Sequence, residues 1–143
     1  MITLVGLFSK TPEDIAFKKN IEQFKKFKKL VKNKKYSEAL KLGLDYLEKV
    51  PYNHDALFTI GGMYYLKNKY RTAISFFDRA LETGDSDVEV LLMKAYCHQK
   101  LQENTIAFEC CKKIKELDPK NKAVINLLSE LNCLLYTSPS PRD

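Results

Sequence analysis

The chain has 143 residues and a mass of 16.6 kDa, which is the size of one domain. Hydrophobic residues make up 45% of it, enough for a packed core, and the five glycines and five prolines are too few for an all-β chain. The net charge is +6, and it is concentrated between Lys18 and Lys49, where eleven lysines accompany four acidic residues. These values favour a helical fold with a basic region near its start.

The N-terminal residues and the cysteines indicate the cellular compartment of the protein. The apolar stretch from Met1 to Phe8 is too short to span a bilayer and lacks the basic leader of a signal peptide. One explanation of this stretch is a start codon placed slightly too early, with the natural start near Val5.

The four cysteines do not suggest a disulfide framework. Cys110 and Cys111 are adjacent in sequence, and a disulfide bond between neighbouring residues would be strained. Free thiols suit a reducing compartment, and we predict a cytoplasmic protein.

The predicted elements, in chain order, are all helices. Thr11-Pro12-Glu13-Asp14 predicts a helix start, because Thr11 can cap, Pro12 suits the first turn, and the acids face the positive helix end. This helix should run to about Lys32, with an apolar stripe of Ile15, Ile21, Phe24, Phe27 or Lys28, and Val31. The helices predicted next are Ser37 to Lys49, Asp55 to Lys67, Thr72 to Thr83, Asp87 to Leu101 and Asn104 to Leu117. Gly84 is a natural left-handed stop, and a seventh helix begins near Asn121.

The same pattern recurs about every 34 residues, the spacing of a helix–turn–helix repeat. Blocks that begin at Asn20, His54 and Val88 align without a gap. Matching residues in these blocks include Ala39 with Ala73 and Ala107, Leu57 with Leu91, Gly61 with Ala95, Tyr36 with Tyr70, and Pro51 with Pro119. This pattern resembles the tetratricopeptide repeat (TPR) family. The resemblance implies an all-α solenoid of antiparallel helix pairs, about three repeats plus a C-terminal helix.

The predicted organisation is an N-terminal segment, 1–11, a TPR array, 12–132, and a tail, 133–143. The array comprises repeats 20–53, 54–87 and 88–121, and 122–132 is a partial fourth repeat or a capping helix. The residues predicted to pack the repeats together are Leu57, Gly61, Tyr64, Tyr70, Ala73, Phe77, Ala80, Leu91, Ala95 and Ala107. The first repeat departs from the family pattern, since Phe27 stands where a small residue is usual.

The resemblance also implies a binding groove on the concave face, which is made by the first helix of each pair. The groove residues it implies are Phe58, Thr59, Gly62, Tyr65, Leu92, Met93, Tyr96 and Gln99. Lys25, Lys28 and Lys32 form a basic patch from the first repeat, suited to an acidic segment of a ligand. We therefore predict a non-catalytic scaffold that binds a peptide or helix of a partner protein. Some TPR domains clamp the C-terminal tails of Hsp70 or Hsp90, but Thr59 and Met93 replace the asparagines of that clamp, so we expect no such binding.

Two other classes of function are metal-dependent or catalytic chemistry and the binding of nucleic acid or a membrane. Cys97-His98 and Cys110-Cys111 carry zinc-ligand chemistry, but the spacing fits no known zinc motif, and we predict no metal, cofactor, small-molecule substrate or catalysis. His54 lies at a loop-to-helix junction without an evident partner. The alternative function is that the lysine-rich first repeat binds nucleic acid or an anionic membrane surface. Arginine, the better phosphate ligand, is nearly absent from the chain, since Arg71 and Arg79 are the only ones outside the tail.

The tail from Cys133 to Asp143 breaks the repeat pattern abruptly. It resembles the translation of a sequencing adapter read through in frame, so we exclude it from functional reasoning. On this interpretation the chain is a truncated fragment, and the native sequence continues beyond Asn132.

Overall fold

The structure, a computed structural model, describes residues 10–84 and 87–137. These residues form seven helices and no strand, which confirms the all-α prediction. The helices are α1 (Pro12–Lys32), α2 (Tyr36–Lys49), α3 (His54–Leu66), α4 (Tyr70–Thr83), α5 (Val88–Lys100), α6 (Asn104–Leu117) and α7 (Lys122–Thr137). They fall into two compact units: α1 and α2 form the first, which ends at Pro51, and α3 to α7 form the second, which begins at Tyr52. Within each unit, helices adjacent in sequence pack against each other.

The start of α1 follows from its first four residues. The Thr11 side-chain oxygen accepts a hydrogen bond from the Asp14 backbone N–H at 3.1 Å, and the Thr11 N–H donates to the Asp14 carboxylate at 3.0 Å. Together these bonds make a capping box, which satisfies backbone donors that a helix start leaves free. Pro12 occupies the first turn, where its missing N–H costs nothing.

The turn inside each of the first three helix pairs has one geometry. Lys34, Asn68 and Gln102 are evenly spaced along the chain, and all three are left-handed, with φ of 59°, 60° and 60°. The N–H of the next residue then bonds back into the preceding helix, as Lys35 does to the Leu30 carbonyl at 3.0 Å and Glu103 to His98 at 2.8 Å. This is the Schellman arrangement, which satisfies carbonyls at a helix end.

The left-handed turns give a stability prediction. An L-residue in this conformation costs about 1–2 kcal/mol, most of which glycine avoids. Since glycine also gains freedom in the unfolded chain, we expect Lys34→Gly and Gln102→Gly each to raise the free energy of unfolding by about 0.5–1 kcal/mol. Asn68→Gly should gain less, because asparagine tolerates this conformation. Urea denaturation followed by circular dichroism measures all three, and a loss of stability in the lysine and glutamine variants would contradict the prediction.

The other helix ends agree with the predicted ends to within two residues, but the predicted left-handed stop at Gly84 was wrong. Gly84 ends α4 in an extended conformation (φ −165°, ψ 96°). Glycine adopts either conformation at little cost, so its presence alone does not fix the geometry of a helix end. At the C-terminal end of the described residues, α7 continues past Cys133 to Thr137. The adapter-like origin of the tail stays a prediction. Residues 138–143 lie outside the described residues, as does most of the predicted N-terminal segment.

Close approach of α3 and α4 organises the start of the second unit. Phe77 is fully buried, and a Cβ built on Gly61 would lie 2.6 Å from its ring. Of the predicted repeat-packing residues, all are buried except Tyr64 and Tyr70, which are half-buried. At the corresponding positions of the next pair, the glycine is replaced by Ala95 and the phenylalanine by Cys111, and both are fully buried. A larger residue on the first helix is thus matched by a smaller one on the second.

This matching predicts the effect of enlarging Gly61. Gly61→Ala forces its methyl group against the Phe77 ring, and overpacking of this kind costs about 1–3 kcal/mol. Combining it with Phe77→Cys recreates the pair found in the following repeat. We expect the double variant to be more stable than the sum of the two single effects predicts, as measured by a double-mutant cycle in urea. Strict additivity would show that the two positions do not share one space.

The first unit uses the opposite arrangement. Phe27 of α1 and Gly43 of α2 occupy the repeat positions of Gly61 and Phe77, so the large residue is now on the first helix. Phe27 is fully buried and Gly43 is also buried. Phe24 stacks at 6.1 Å from the Phe27 ring and at 5.2 Å from that of Tyr46. The departure of Phe27 from the family pattern is therefore accompanied by a compensating change on α2.

Candidate functional site

The predicted groove residues lie on α3 and α5, two first helices that contact each other in the second unit. We call these residues the first-helix face: Phe58, Thr59, Gly62, Tyr65, Leu92, Met93, Tyr96 and Gln99. Every one of them is partly exposed, and none is buried. A surface of half-buried side chains is held in place by the core beneath it and remains accessible to a ligand.

Contacts with the core fix several side chains of this face. The Phe58 ring lies 6.0 Å from that of the buried Phe77. Leu92 and Tyr96 pack against a buried cluster that includes Leu91 and residues of α6 and α7. Gly62 has open space where a side chain would be, since no atom lies within 4 Å of a Cβ built on it. The face therefore combines fixed aromatic rings with a shallow gap between them.

Tyr65 and Tyr96 are both partly buried phenols with raised pKa values. Partial burial raises the pKa of Tyr65, and the neighbouring Tyr70, Cys97 and Tyr96 raise it further. Partial burial likewise raises the pKa of Tyr96, with a smaller contribution from the Glu130 carboxylate. The Tyr65 ring also meets Tyr70 edge-on, with centroids 5.5 Å apart. Both phenols stay protonated at neutral pH, so each offers a hydrogen-bond donor and an aromatic surface.

Sequence reasoning missed Glu130 of α7 as part of this region. Its carboxylate accepts a hydrogen bond from the Gln99 side chain at 2.9 Å. Glu130 stands one repeat after Tyr96, so its position in the repeat could have identified it. The predicted groove residues end in the third repeat, at Gln99, and include none from α7.

The basic patch lies on α1 in the first unit. Lys25, Lys28 and Lys32 are exposed, and the Lys28 ammonium sits 5.5 Å from the centre of the Phe24 ring. Ile15 and Ile21, predicted on the inward stripe of this helix, are instead 56% and 39% exposed. Because α1 has 21 residues and its partner α2 has 14, the first turns of α1, which include Ile15, extend past α2.

His54, expected to lack a partner, has three. Its Nδ1 lies 3.1 Å from the Ala80 carbonyl oxygen and 2.9 Å from Thr83 Oγ1, and its Nε2 lies 2.7 Å from Asp87 Oδ2. Burial opposes ionisation of Asp87, but hydrogen bonds from the Val90 backbone and from His54 outweigh it and lower the pKa of that carboxyl. Asp87 also caps α5. His54 therefore links α3 to the end of α4 and the start of α5.

The residues with zinc-ligand chemistry are buried or half-buried, namely Cys97, His98, Cys110 and Cys111. His98 is buried, with Nδ1 3.3 Å from Glu103 Oε1 and Nε2 without a hydrogen-bond partner. Burial raises the pKa of Cys97 to about 12 and that of Cys111 to about 11, so both are neutral thiols at pH 7. Across residues 10–84 and 87–137, no three His, Cys, Asp or Glu side chains are grouped to hold a metal ion. The same residues include no helix long and apolar enough to cross a membrane.

Comparison with solved structures identifies the fold. The first TPR of Spaghetti (RPAP3) bound to the HSP90 peptide SRMEEVD is 22% identical, with a TM-score of 0.76, over 84% of this chain and 95% of that chain. The Arabidopsis OM64 TPR domain is 14% identical, with a TM-score of 0.73, over 81% and 96%. The Yersinia enterocolitica type III secretion chaperone SycD, in complex with a peptide of the translocator YopD, is 14% identical, with a TM-score of 0.72, over 78% and 91%. These likenesses confirm the predicted fold of TPR helix pairs.

Comparison of sequences gives the family. No curated protein matches the chain. The family model for anaphase-promoting complex, cyclosome, subunit 3 matches residues 32–114, which is more than half of the chain. The matched residues run from the end of α1 to α6 and include the whole first-helix face. The chain thus belongs to the family described as anaphase-promoting complex, cyclosome, subunit 3, and its helix pairs are tetratricopeptide repeats.

Proposed function

We propose that this chain is a non-catalytic scaffold and that its second unit binds a segment of a partner protein along the first-helix face. The observation that carries the proposal is the concentration of partly exposed Phe58, Tyr65, Leu92, Met93 and Tyr96 on two contacting first helices. Aromatic side chains are common anchors of protein interfaces, and methionine adapts to irregular ligand surfaces.

Neighbouring structures support a peptide as the ligand. The first TPR of Spaghetti (RPAP3) is bound to an HSP90 peptide, the second TPR domain of human RPAP3 to an HSP70 peptide, and SycD to a peptide of YopD. In this chain the fixed rings of the first-helix face supply apolar anchors, and Gly62 leaves room for a ligand side chain. The ligand chemistry that fits is an apolar segment able to accept hydrogen bonds from the tyrosine hydroxyls.

The test begins with peptides selected from a displayed random library on the purified chain. Against a selected peptide, we expect Tyr65→Ala or Tyr96→Ala to weaken binding about tenfold or more, since truncating a central aromatic anchor costs more than about 1 kcal/mol. Helicity should stay close to that of the parent chain. The control is Ile106→Ala, which truncates an exposed apolar side chain on the second helix α6. Unchanged affinity in both tyrosine variants, or an equal loss in the control, would refute the proposed site.

A chaperone tail is a specific negative case. Thr59 and Met93 stand where the family's clamp has asparagine, and neither side chain offers the paired amide donors that hold a terminal carboxylate. We therefore expect no saturable binding of the peptide SRMEEVD in fluorescence polarisation. Saturable binding would refute this expectation. It would mean that other donors hold the terminal carboxylate, and a C-terminally amidated peptide would then fail to bind.

The basic patch supports a second candidate function, binding of nucleic acid or an anionic membrane. The exposed lysines of α1 adjoin Phe17, which is 69% exposed, and the exposed Ile15 and Ile21. Phosphate-dominated binding weakens steeply with salt, whereas binding to the apolar first-helix face should change little. Salt titrations with single-stranded DNA and with phosphatidylserine vesicles test this candidate. Binding unaffected by salt, or by charge removal at Lys25, Lys28 and Lys32, would exclude it.

A further inference from the structure

An exposed apolar stripe runs along one side of α1. Phe17, Ile21, Phe24 and Lys28 are spaced by four, three and four residues, which places them on one face of the helix. Phe17 is 69% exposed and Ile21 39%, whereas the Phe24 ring is partly buried and stacks on Tyr46 with centroids 5.2 Å apart. We call Phe17, Ile21 and Phe24 the α1 apolar stripe. Its exposure increases toward the start of the helix.

The exposed end of this stripe projects beyond α2. The last turns of α2 lie beside Gln23, since the Lys49 ammonium is 3.1 Å from Gln23 Oε1 and the Asp45 carboxylate accepts a hydrogen bond from Gln23 Nε2 at 2.6 Å. Phe17 comes six residues earlier on α1, which is about 9 Å along the helix axis. Within the first unit, α2 therefore leaves Phe17 open to a broad, flat partner.

Lysines accompany the stripe along its length. The helix contains seven lysines and three acidic residues, and of the acidic residues only Glu22 lies beyond the first turn. Lys18 and Lys25 are exposed beside the stripe. The Lys28 ammonium is 5.5 Å from the centre of the Phe24 ring, so its methylene chain covers apolar surface while its charge stays at the solvent boundary. The stripe is thus apolar along its centre and cationic along its border.

This combination favours an anionic membrane over the other candidate partners. A bilayer offers anionic headgroups to the lysines and, directly beneath them, an acyl boundary to the apolar side chains. Nucleic acid offers phosphates to the lysines and base rings to an aromatic side chain, but neither interaction uses the exposed Ile21. A second copy of the chain would bring the lysines of one stripe against those of the other, and like charges repel.

We propose that α1 lies on an anionic membrane surface, with Phe17 and Ile21 inserted at the boundary between headgroups and acyl chains and with Lys18, Lys25 and Lys28 at the level of the headgroups. This inference rests on the second candidate function, the binding of an anionic partner by the basic patch, and it names that partner. It does not involve the first-helix face, which belongs to the second unit.

A tryptophan probe tests insertion directly, because the chain contains no tryptophan. In the full chain carrying Phe17→Trp, we expect the emission to shift to the blue on addition of vesicles of phosphatidylserine and phosphatidylcholine, and to be quenched when the lipids carry brominated acyl chains. The matched probe is Ile15→Trp, since Ile15 is 56% exposed on the same helix but lies about 200° around it from Phe17. Equal quenching of the two probes, or none with Phe17→Trp, would overturn the proposal.

Vesicle flotation measures what the stripe contributes to binding. Phe17→Ala should weaken binding about tenfold, the order expected when one large apolar side chain no longer leaves water. Ile15→Ala should leave binding unchanged, and the urea midpoints of both variants should match that of the parent, which separates loss of binding from loss of folding. An equal loss in the two variants, or no binding of the parent to anionic vesicles, would contradict the proposal.

Further outcomes separate this inference from the functions proposed above. Vesicle binding lost on charge removal at Lys25, Lys28 and Lys32 but unaffected by Phe17→Ala would overturn insertion and leave an electrostatic basic patch. A tenfold loss of single-stranded DNA binding in Phe17→Ala would overturn the proposal by assigning the stripe to nucleic acid. Self-association abolished by the same variant would overturn it by assigning the stripe to a second copy. Binding of a library-selected peptide to the first-helix face should be unchanged by Phe17→Ala.

Discussion

Phe77→Ala is expected to destabilise the second unit by about 3–5 kcal/mol, the range for truncating a buried phenylalanine. The ring is fully buried, lies against the backbone of Gly61 and supports Phe58 of the first-helix face at 6.0 Å. Urea denaturation followed by far-ultraviolet circular dichroism measures the loss.

Phe76 provides the control for this prediction. It is the adjacent residue on α4 but only half-buried, stacked on Tyr64 with ring centroids 5.4 Å apart. Phe76→Ala should therefore cost clearly less than Phe77→Ala, because less of the ring is removed from water in the folded state. Equal losses at the two positions, or a loss below about 2 kcal/mol at Phe77, would contradict the packing described for α3 and α4.

Phe27→Ala is expected to have a similar effect in the first unit, about 3–5 kcal/mol. This ring is fully buried and stacks on Phe24, and the buried Gly43 holds the paired repeat position on α2. The unit consists of only two described helices, so a single large side chain accounts for much of its core. The loss should be detected as earlier unfolding of the first unit, for example by hydrogen exchange of the α2 amides.

Phe17 is the matched control, because it lies on the same helix and is 69% exposed. Phe17→Ala should change stability by no more than about 0.5 kcal/mol, as is usual for a surface residue. A comparable loss for Phe17 and Phe27 would show that the buried face of α1 has been assigned wrongly.

The features that sequence predicted well are those specified by a few neighbouring residues. The Thr11 to Asp14 capping box needs only local hydrogen bonds, and α1 begins where it predicts. The repeat period also placed most helix ends, since each pair closes through the same left-handed turn at Lys34, Asn68 or Gln102. Lys34 and Gln102 are neither glycine nor asparagine, so their residue types gave no indication of this geometry, whereas Asn68 is of a type that tolerates it.

The features that sequence did not predict depend on contacts between distant residues. Ile15 and Ile21 fit an apolar stripe, but whether a stripe is covered depends on the length of the partner helix. The partners of His54 come from α4 and from the residue that caps α5. The hydrogen bond from Gln99 to Glu130 joins side chains 31 residues apart, although the repeat position of Glu130 could have identified it.

Chemical-shift mapping of a library-selected peptide on the isotope-labelled chain tests the central claim most directly. The account predicts that the largest backbone and side-chain shifts fall on α3 and α5, at Phe58, Tyr65, Met93 and Tyr96, with small changes on α4 and α6. Shifts centred instead on α4 and α6, or on the lysines of α1, would contradict binding at the first-helix face.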